Sequence, residues 1–419
     1  MHRILAALLA VSSCASIAQA QSTVSAPAGP TFTLGRALEL AGAASPAIEA
    51  ATAGVRSADA ARSVAGLRPN PSIVAQTENV AGSGQYRGVR SAETTAGLEL
   101  PVELGGKRSA RIAVADARSH RAEIAAAVAL ADLRLAVTQA YIEAITAERR
   151  LATAREQAGI AAEASRAAQV RVRAGRASPI EEQRADVLRI NADAGVERAA
   201  RTLEVARGNL ARRIGQPVAG PLDLAWFDRI GGYGPIAQVD PAGTLAMMAA
   251  QADVATADAQ VRLARAQRVP DITLSASARR LAATNDTAAV FGVSIPFPVF
   301  NNGSAAIAQA RAERDQTDAQ RRVLELDMAQ AIAAAEAEVA NAATTARAAS
   351  GPALAAALES ARIARIGYRE GKFGQLDLLD AERTLSETRL AAIDALAAYH
   401  DALARRDRLT TAAPDFTKD

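Results

Sequence analysis

The sequence predicts a mainly α-helical protein with a small β part, in which one structural unit occurs twice. A proline-containing segment ends a strand-like stretch at residues 98–108, and a similar segment does so about 195 residues later, at 293–303. An alanine-rich stretch without proline follows the first segment as far as Arg173. Alanine favours helices and lets them approach closely, and so long a period indicates two large units. The matching residues in the two copies are Pro101 with Pro296 and Gly175 with Gly371.

The composition favours long, closely packed helices over a thick core. Half of the 419 residues are hydrophobic, but much of this fraction is alanine and only 3% of the residues are aromatic. Large side chains carry most of the free energy of burial. The formal net charge is +3, and both signs of charge are interspersed along the chain. This pattern is typical of solvated helix faces, so we expect no nucleic-acid partner.

The N-terminus predicts export from the cytoplasm. His2 and Arg3 precede a short apolar run, and Ala18-Gln19-Ala20 is a small-x-small cleavage site, which defines a signal peptide over residues 1–20. The only cysteine allows a second interpretation, because residues 11–14 fit a lenient lipobox that would make Cys14 a lipidated first residue. Both interpretations export the chain.

Two pairs of alternating segments predict two β-hairpins, 72–79 with 91–100 and 271–279 with 290–297. Strands of about ten residues with one apolar and one polar face are typical of transmembrane barrels. A half-buried hairpin of a soluble protein is the alternative. No later apolar run reaches the roughly 18 residues of a membrane-spanning helix, so a membrane crossing would use strands. Four strands cannot close a barrel and open edges are unfavourable in lipid, so several chains would have to share one barrel, and three chains would give twelve strands.

Helical patterns fill most of the remaining chain. They cover 33–67 with an interruption at Ser45-Pro46, 108–173, 179–214, 244–268, 304–368 with a kink at Gly351-Pro352, and 376–409. The helix over 108–173 carries a coiled-coil seam and would be about 100 Å long. The predicted organisation is a signal peptide (1–20), a first repeat (21–215), a connector with the only tryptophan (216–243), a second repeat (244–410) and a polar tail (411–419).

Two glycine turns link the long helices to their return helices, and both concentrate charge. At the first turn, Gly175 suits a helix C-cap, Ser178 and Pro179 suit the next helix start, and Glu181 stands at the reciprocal position of a capping box. The candidate site residues are Arg173, Gly175, Arg176, Glu181 and Glu182 at the first turn and Tyr368, Arg369, Gly371, Lys372, Asp377 and Asp380 at the second. Charge pairs at these turns can bond across helix pairs, and simple capping and solvation of helix ends are the alternative.

The sequence contains no recognisable catalytic constellation, so we expect neither an enzyme nor a bound cofactor or metal. His120 and His400 are interpreted as isolated histidines without ligands at i+3 or i+4, in solvent or in helix packing. Met247 and Met248 are too few to capture a soft metal and are interpreted as core residues. The segment 105–107 lacks the remaining residues of a phosphate-binding loop, so we interpret it as a turn.

The duplicated hairpin, long helix, glycine turn and return helix resemble the TolC-type outer membrane factor family over nearly the whole mature chain. The segment 101–108 looks like the strand-to-helix junction of its cation-efflux, CzcC-like branch. The spacing Tyr368-x-x-Gly371-x5-Asp377 looks like the second periplasmic-tip turn of the family. By this resemblance, the junction residues are Pro101, Gly105, Gly106, Pro296 and Asn301, and the best gate candidates are Tyr368 and Asp377.

The resemblance implies a homotrimer whose twelve-stranded barrel lies in outer-membrane lipid and continues into a helical tunnel in the periplasm. It also implies a periplasmic membrane-fusion adaptor and an inner-membrane transporter of the resistance-nodulation-division (RND) type as partners. The expected function is a passive duct for heavy-metal cations. A duct for drug efflux or type I secretion, and a periplasmic coiled-coil scaffold without a pore, are the alternatives. The tip triplets at 174–176 and 370–372 are charged where many members are hydrophobic, so docking is expected to rely more on charge.

Overall fold

The computed structural model of the chain describes residues 31–231 and 239–414. The predicted signal peptide and Cys14 lie outside the described residues, as do part of the connector and most of the predicted polar tail. Two short strand pairs and several very long helices make up the described chain, as the sequence predicts.

The helices and strands follow one another in the order of two similar units. The helices are α1 (Leu34–Ala44), α2 (Pro46–Ala65), α3 (Lys107–Arg173), α4 (Pro179–Ile214), α5 (Leu224–Phe227), α6 (Leu245–Gln267), α7 (Ser304–Ala348), α8 (Leu354–Arg369) and α9 (Gln375–Leu409). The strands are β1 (Ser72–Glu78), β2 (Glu93–Val102), β3 (Ile272–Leu281) and β4 (Asp286–Ser294). Each unit therefore consists of entry helices, a hairpin, a long helix and a return helix.

The helix boundaries follow the capping chemistry of the sequence. The Thr33 hydroxyl accepts a hydrogen bond from the Arg36 N–H at the start of α1 (3.3 Å), and Thr244 accepts one from the Met247 N–H at the start of α6 (3.4 Å). Pro46 occupies the first turn of α2, where its missing N–H costs nothing. Gly215 ends α4 with a positive φ of 76°.

The four strands form one antiparallel sheet in the order β1-β2-β3-β4. The central pairing of β2 with β3 joins the two units, from Glu93 opposite Leu281 to Val102 opposite Ile272. β1 and β4 are the two edges of this sheet. The alternation along each strand gives one face of apolar side chains, largely exposed, and one face of polar side chains.

The hairpin boundaries differ slightly from the sequence prediction. The turn between β3 and β4 is shorter than the predicted loop 282–288, because the ladder continues to the pair Leu281–Asp286. β4 ends at Ser294 rather than at residue 297. Pro296 explains the early end, since proline has no N–H to donate to a strand ladder.

A compact aromatic core lies where the connector packs against both units. The Tyr141 hydroxyl donates to the Phe32 carbonyl (2.8 Å) and accepts from the Asp223 N–H (3.0 Å). Trp226 stacks on His400 with ring centroids 4.3 Å apart, and His400 Nε2 lies 2.8 Å from the Phe227 carbonyl oxygen. Burial raises the pKa of Tyr141 to about 12 and lowers the pKa of His400, so both side chains are neutral packing residues.

The two long helices differ in continuity. α3 runs unbroken for 67 residues, which corresponds to about 100 Å. The equivalent helix of the second unit is interrupted between α7 and α8 by a π-helical segment, Ala349–Ala353, that contains Pro352. Gly351 has non-helical angles there, φ −100° and ψ −105°. This is the kink that the sequence predicts at Gly351-Pro352.

Two sequence expectations need correction. α3 contains an 18-residue stretch with a mean hydropathy of 1.3, so among the described residues one helix is long and apolar enough to cross a membrane by composition. Alanines account for this value, and the whole helix is far longer than a bilayer is thick. His120 does have an acidic residue at i+3, because its Nδ1 lies 3.3 Å from Glu123 Oε2. Met247 is a core residue, as expected, packed with Met328 and Ile332.

Candidate functional site

The two glycine turns at the far end of the long helices have the same backbone geometry. We call residues 171–182 the first tip turn and 367–380 the second. The Arg176 N–H donates to the Arg171 carbonyl, and the Lys372 N–H donates to the Gly367 carbonyl, both at 2.8 Å. These six-to-one bonds close a Schellman motif around the glycine that follows each C-cap residue. Gly175 and Gly371 have φ angles of +68° and +73°, so the sequence placed both turns correctly.

The helices that restart after the tip turns are capped differently. In the first tip turn the Ser178 hydroxyl accepts from the Ile180 N–H at 3.4 Å. The capping-box role predicted for Glu181 is wrong, because its carboxylate lies instead 3.9 Å from Arg171 Nη1. In the second tip turn Asp377 Oδ2 accepts from the Gly374 N–H at 2.9 Å. Within one chain, Asp377 therefore acts as a helix cap.

Arg171 joins the two tip turns and was not among the residues predicted from the sequence. Its Nη1 donates to the Tyr368 hydroxyl at 2.9 Å, and the same nitrogen lies 3.9 Å from Glu181 Oε2. The hydrogen bond to Tyr368 is the main cause that raises the pKa of Arg171, so the guanidinium stays charged. No local motif marks this residue, since the contact connects positions 197 residues apart.

A close contact shapes the second tip turn. Gly367 is buried, and a Cβ atom there would lie 2.2 Å from Cδ2 of the Phe373 ring. The glycine thus makes room for the aromatic ring to fold back over the end of α8. Neither residue was singled out by the sequence. Phe373 is still 43% exposed, so the ring forms part of the tip surface.

Six of the remaining predicted tip residues form an exposed charged surface, and Glu182 is half-buried. The six exposed residues are Arg173, Arg176, Arg369, Lys372, Asp377 and Asp380. In the part of the chain that the structure describes, no ion pair joins these six side chains to one another. The contact between Tyr368 and Arg171 joins a residue predicted from the sequence to one that was not.

The first strand-to-helix junction, residues 101–111, depends on a close backbone approach. Gly105 has a φ of +68°, and a Cβ atom there would lie 2.6 Å from Cβ of Val269. Only glycine fits both the angle and the space. Lys107 Nζ lies 2.7 Å from Asp271 Oδ1, which also accepts from the Leu104 N–H at 3.0 Å. Gly106, with a φ of +73°, precedes the first residue of α3.

Arginines tie this junction to the end of α2. Arg111 forms a two-pronged contact with the Glu103 carboxylate and also donates to the Ala65 and Leu67 carbonyls, at 3.3 and 3.1 Å. Arg108 Nε donates to the Gly66 carbonyl at 2.6 Å. Cations at the last carbonyls of a helix are favourable because of the helix dipole.

The carboxylates of the first junction are held in their charged form. The hydrogen bond from Arg111 lowers the pKa of Glu103. Burial alone would raise the pKa of Asp271, but the hydrogen bonds from Lys107 and Leu104 outweigh it, and that pKa is also lowered. The junction is therefore a network of charge-assisted hydrogen bonds.

The second junction, residues 296–304, is simpler. Asn301 Oδ1 accepts from the Gly303 N–H at 3.1 Å, and Asn302 Oδ1 accepts from the Ser304 N–H at 3.0 Å. Gly303 has a φ of +77° at the start of α7. Pro296 is exposed just beyond β4, so both predicted residues lie at the junction.

The sequence profile of the family described as Outer membrane efflux protein matches residues 37–216 and 242–411, which is most of the chain. The chain belongs to the outer membrane efflux protein family. The cobalt-zinc-cadmium resistance protein CzcC of Cupriavidus metallidurans is 29% identical over 389 residues, covering 91% of this chain and 90% of the relative. The nickel and cobalt resistance protein CnrC of the same organism is 33% identical over 292 residues, covering 67% and 68%.

Solved channels of this kind share the fold. The crystal structure of CusC superimposes with a TM-score of 0.75 at 17% identity, covering 91% of this chain and 92% of that one. The outer membrane protein VceC of Vibrio cholerae gives a TM-score of 0.73 at 18% identity, covering 91% and 96%. The predicted resemblance to TolC-type outer membrane factors, with relatives in metal resistance, is thus confirmed.

The described residues contain no cluster of three or more His, Cys, Asp or Glu side chains that would hold a metal ion. The candidate functional regions of this chain are the tip turns and the sheet with its two junctions.

Proposed function

We propose that this chain is the outer-membrane channel of a tripartite efflux system and conducts heavy-metal cations passively out of the periplasm. Three copies would form one barrel and one helical tunnel. In this proposal, residues 21–215 and 244–410 are the two repeats of the wall, and 216–243 is an equatorial connector between them. The signal peptide over 1–20 would direct export of the chain from the cytoplasm.

The observation that carries the proposal is a four-stranded sheet with two open edges and an exposed apolar face. β1 and β4 each pair with only one neighbour in the described sheet. Open edges are unfavourable in lipid, and three sheets of four strands joined edge to edge give twelve strands without an edge. Phe291 is 81% exposed and Val293 66% exposed on the apolar face, as expected for side chains that contact lipid.

The long helices supply the second part of the duct. α3, at about 100 Å, is long enough to extend from the barrel far into the periplasm. Its far end is the tip, where a membrane-fusion adaptor and an RND transporter would dock. The exposed charged residues of the tip turns support docking through charge pairs.

The tip turns would also close the duct at rest. Arg171 and Tyr368 hold the two turns of one chain together at 2.9 Å. Asp377, exposed in one chain, would face a neighbouring copy near the three-fold axis and contribute a second set of contacts. Adaptor binding would re-pair these groups and open the constriction.

The metal assignment rests on the CzcC and CnrC relatives, whose printed names refer to cobalt, zinc, cadmium and nickel. The test is the growth of a deletion strain on salts of zinc, cobalt, cadmium, nickel, copper and silver, with detergents and antibiotics alongside. We expect sensitivity to a subset of the metals, restored by the wild-type gene. Sensitivity to amphiphilic compounds alone would indicate a drug-efflux duct, and a soluble monomer or dimer would indicate a scaffold without a pore.

A further inference from the structure

The apolar face of the sheet ends in a single polar row. Ladder pairing places Thr77 opposite Thr94, Thr94 opposite Arg280, and Arg280 opposite Thr287, so these four side chains form one row across all four strands. All four are exposed. We call this set the outer row. It contains three hydroxyl groups around one guanidinium group.

The row next to it toward the helices is entirely alanine. Its members are Ala75, Ala96, Ala278 and Ala289. Larger apolar side chains, such as Leu98 and Phe291, follow in the next row. Among the residues of the four described strands, Arg280 is the only charged side chain on this face. The small alanine row leaves space beneath the guanidinium, next to a band of apolar surface.

The position of the outer row matches the edge of a bilayer. Two residues of a strand advance about 6.8 Å, which becomes about 5 Å along the membrane normal when the strand is tilted as in a barrel. The four apolar rows from Ile272 to Ala278 then span about 15 Å, and the exposed side chains of Phe297 and Phe300 extend the band at the helix end. The outer row therefore lies at the end of the band that faces away from the helices and the periplasm.

A neighbouring turn positions the guanidinium. Asn285, in the turn between β3 and β4, accepts a hydrogen bond from Arg280 Nη2 at 2.9 Å. The turn itself is held by a hydrogen bond of 2.9 Å from the Asn285 N–H to the Leu281 carbonyl. The adjacent Arg279 points to the opposite, polar face and contacts Glu93 there at 3.0 Å. Arg280 is thus directed away from the carboxylates of the polar face.

We infer that the outer row binds the phosphate of an anionic glycolipid in the outer leaflet. A guanidinium group recognises phosphate through charge and paired N–H donors, and threonine hydroxyl groups add neutral donors around it. The alanine row receives the first part of the acyl chains, because it has no bulk to exclude them. This inference rests on the proposed function, since it requires the sheet to lie in the outer membrane.

The test uses the full-length protein purified in detergent as the assembled channel. Native mass spectrometry would count the molecules of diphosphoryl lipid A retained by the wild type and by Arg280→Gln. We expect the variant to retain about tenfold less, the effect of one lost hydrogen bond to a charged group. The matched control is Arg90→Gln, which removes an exposed arginine of the loop between β1 and β2 and should retain lipid as the wild type does.

Two further probes identify the ligand. Lipid A without its phosphates should bind the wild type and Arg280→Gln equally, and millimolar inorganic phosphate should not displace diphosphoryl lipid A. Equal retention by both proteins, or binding that does not depend on the lipid phosphates, would overturn the inference. Displacement by inorganic phosphate would also overturn it and would indicate a site for free anions.

Folding and the proposed function are controlled separately. Arg280→Gln should fractionate with the outer membrane and unfold at the wild-type temperature. A wild-type protein that does not fractionate with the outer membrane as a trimer would contradict the proposed function itself. A normal trimer with unchanged lipid retention in Arg280→Gln would contradict only the lipid site.

Discussion

The two strand-to-helix junctions have the same task but are fastened by different chemistry. The first junction is a network of charged side chains that also reaches the last carbonyls of α2. Its members are Lys107, Arg111, Glu103 and Asp271. At the second, two asparagine side chains cap the first N–H groups of α7 and its preceding glycine. The first long helix is continuous, and the second is interrupted at Ala349–Ala353.

The two units therefore share a fold but differ in the fastening of the long helix and in its continuity. A network of charge-assisted hydrogen bonds fixes direction at the base of α3, and the unbroken helix carries that direction to the tip. The weaker junction and the π-helical kink leave α7 and α8 with fewer constraints. We therefore expect the first unit to act as the rigid wall and the second as the adjustable one.

The largest loss of folding stability is expected for Gly105→Ala in the first junction. The new methyl group would lie 2.6 Å from Cβ of Val269 at a φ of +68°. The clash and the strained angle together should lower the free energy of unfolding by about 3 kcal/mol. Thermal unfolding followed by circular dichroism measures this change.

The matched control is Gly175→Ala in the first tip turn. It has the same φ of +68°, but a Cβ atom there meets nothing within 4 Å. We expect a loss of about 1 kcal/mol from the backbone angle alone. Equal losses at the two glycines would show that the close approach to Val269 does not determine the first junction.

The second-largest loss of folding stability is expected for Arg111→Ala. This change removes the contact with Glu103 and two hydrogen bonds to the end of α2, and it leaves a mostly buried carboxylate without its main partner. The expected loss is about 2–3 kcal/mol. Asn301→Ala at the second junction should cost about 1 kcal/mol, as for other helix-start caps. A larger loss for Asn301→Ala in the same unfolding measurement would reverse the order of the two junctions.

A smaller loss of folding stability is expected when the pH is lowered. The pKa values of Glu103 and Asp271 are lowered in the folded protein, so their stabilisation is complete above the ordinary values of 4.5 and 3.8. It is lost as the pH falls through the lowered values, because the native carboxylates must then be protonated. The unfolding temperature of the wild type should fall more steeply between pH 6 and pH 3 than that of Glu103→Gln. Parallel curves would mean that the first junction does not depend on this charge.

Much of this architecture can be predicted from local sequence signals. Glycine at a helix end, proline at a helix start and the two-residue alternation of strands each act through nearest neighbours, so Gly175, Pro179 and the strand faces were identified correctly. The contacts that hold the two units together join distant positions, such as Arg171 with Tyr368, and spacing along the chain does not reveal them.

Glu181 illustrates the limit of such predictions. Its position suits a capping box, yet in the structure the carboxylate turns toward Arg171 on the neighbouring helix. A local rule predicts the position of a side chain, and the tertiary neighbours decide what it contacts. The kink at Gly351-Pro352 was predictable because proline acts within its own helix turn.

In the proposed function, the chain forms a duct that its tip turns keep closed. The most direct test is the single-channel conductance in planar bilayers of the purified wild type, Tyr368→Phe and the control Tyr86→Phe, which alters an exposed tyrosine between β1 and β2. We predict a low conductance for the wild type and the control, and a several-fold higher one for Tyr368→Phe, because the hydroxyl that Arg171 holds is gone. Equal conductance in all three would contradict the tip link, and the absence of any channel would contradict the duct.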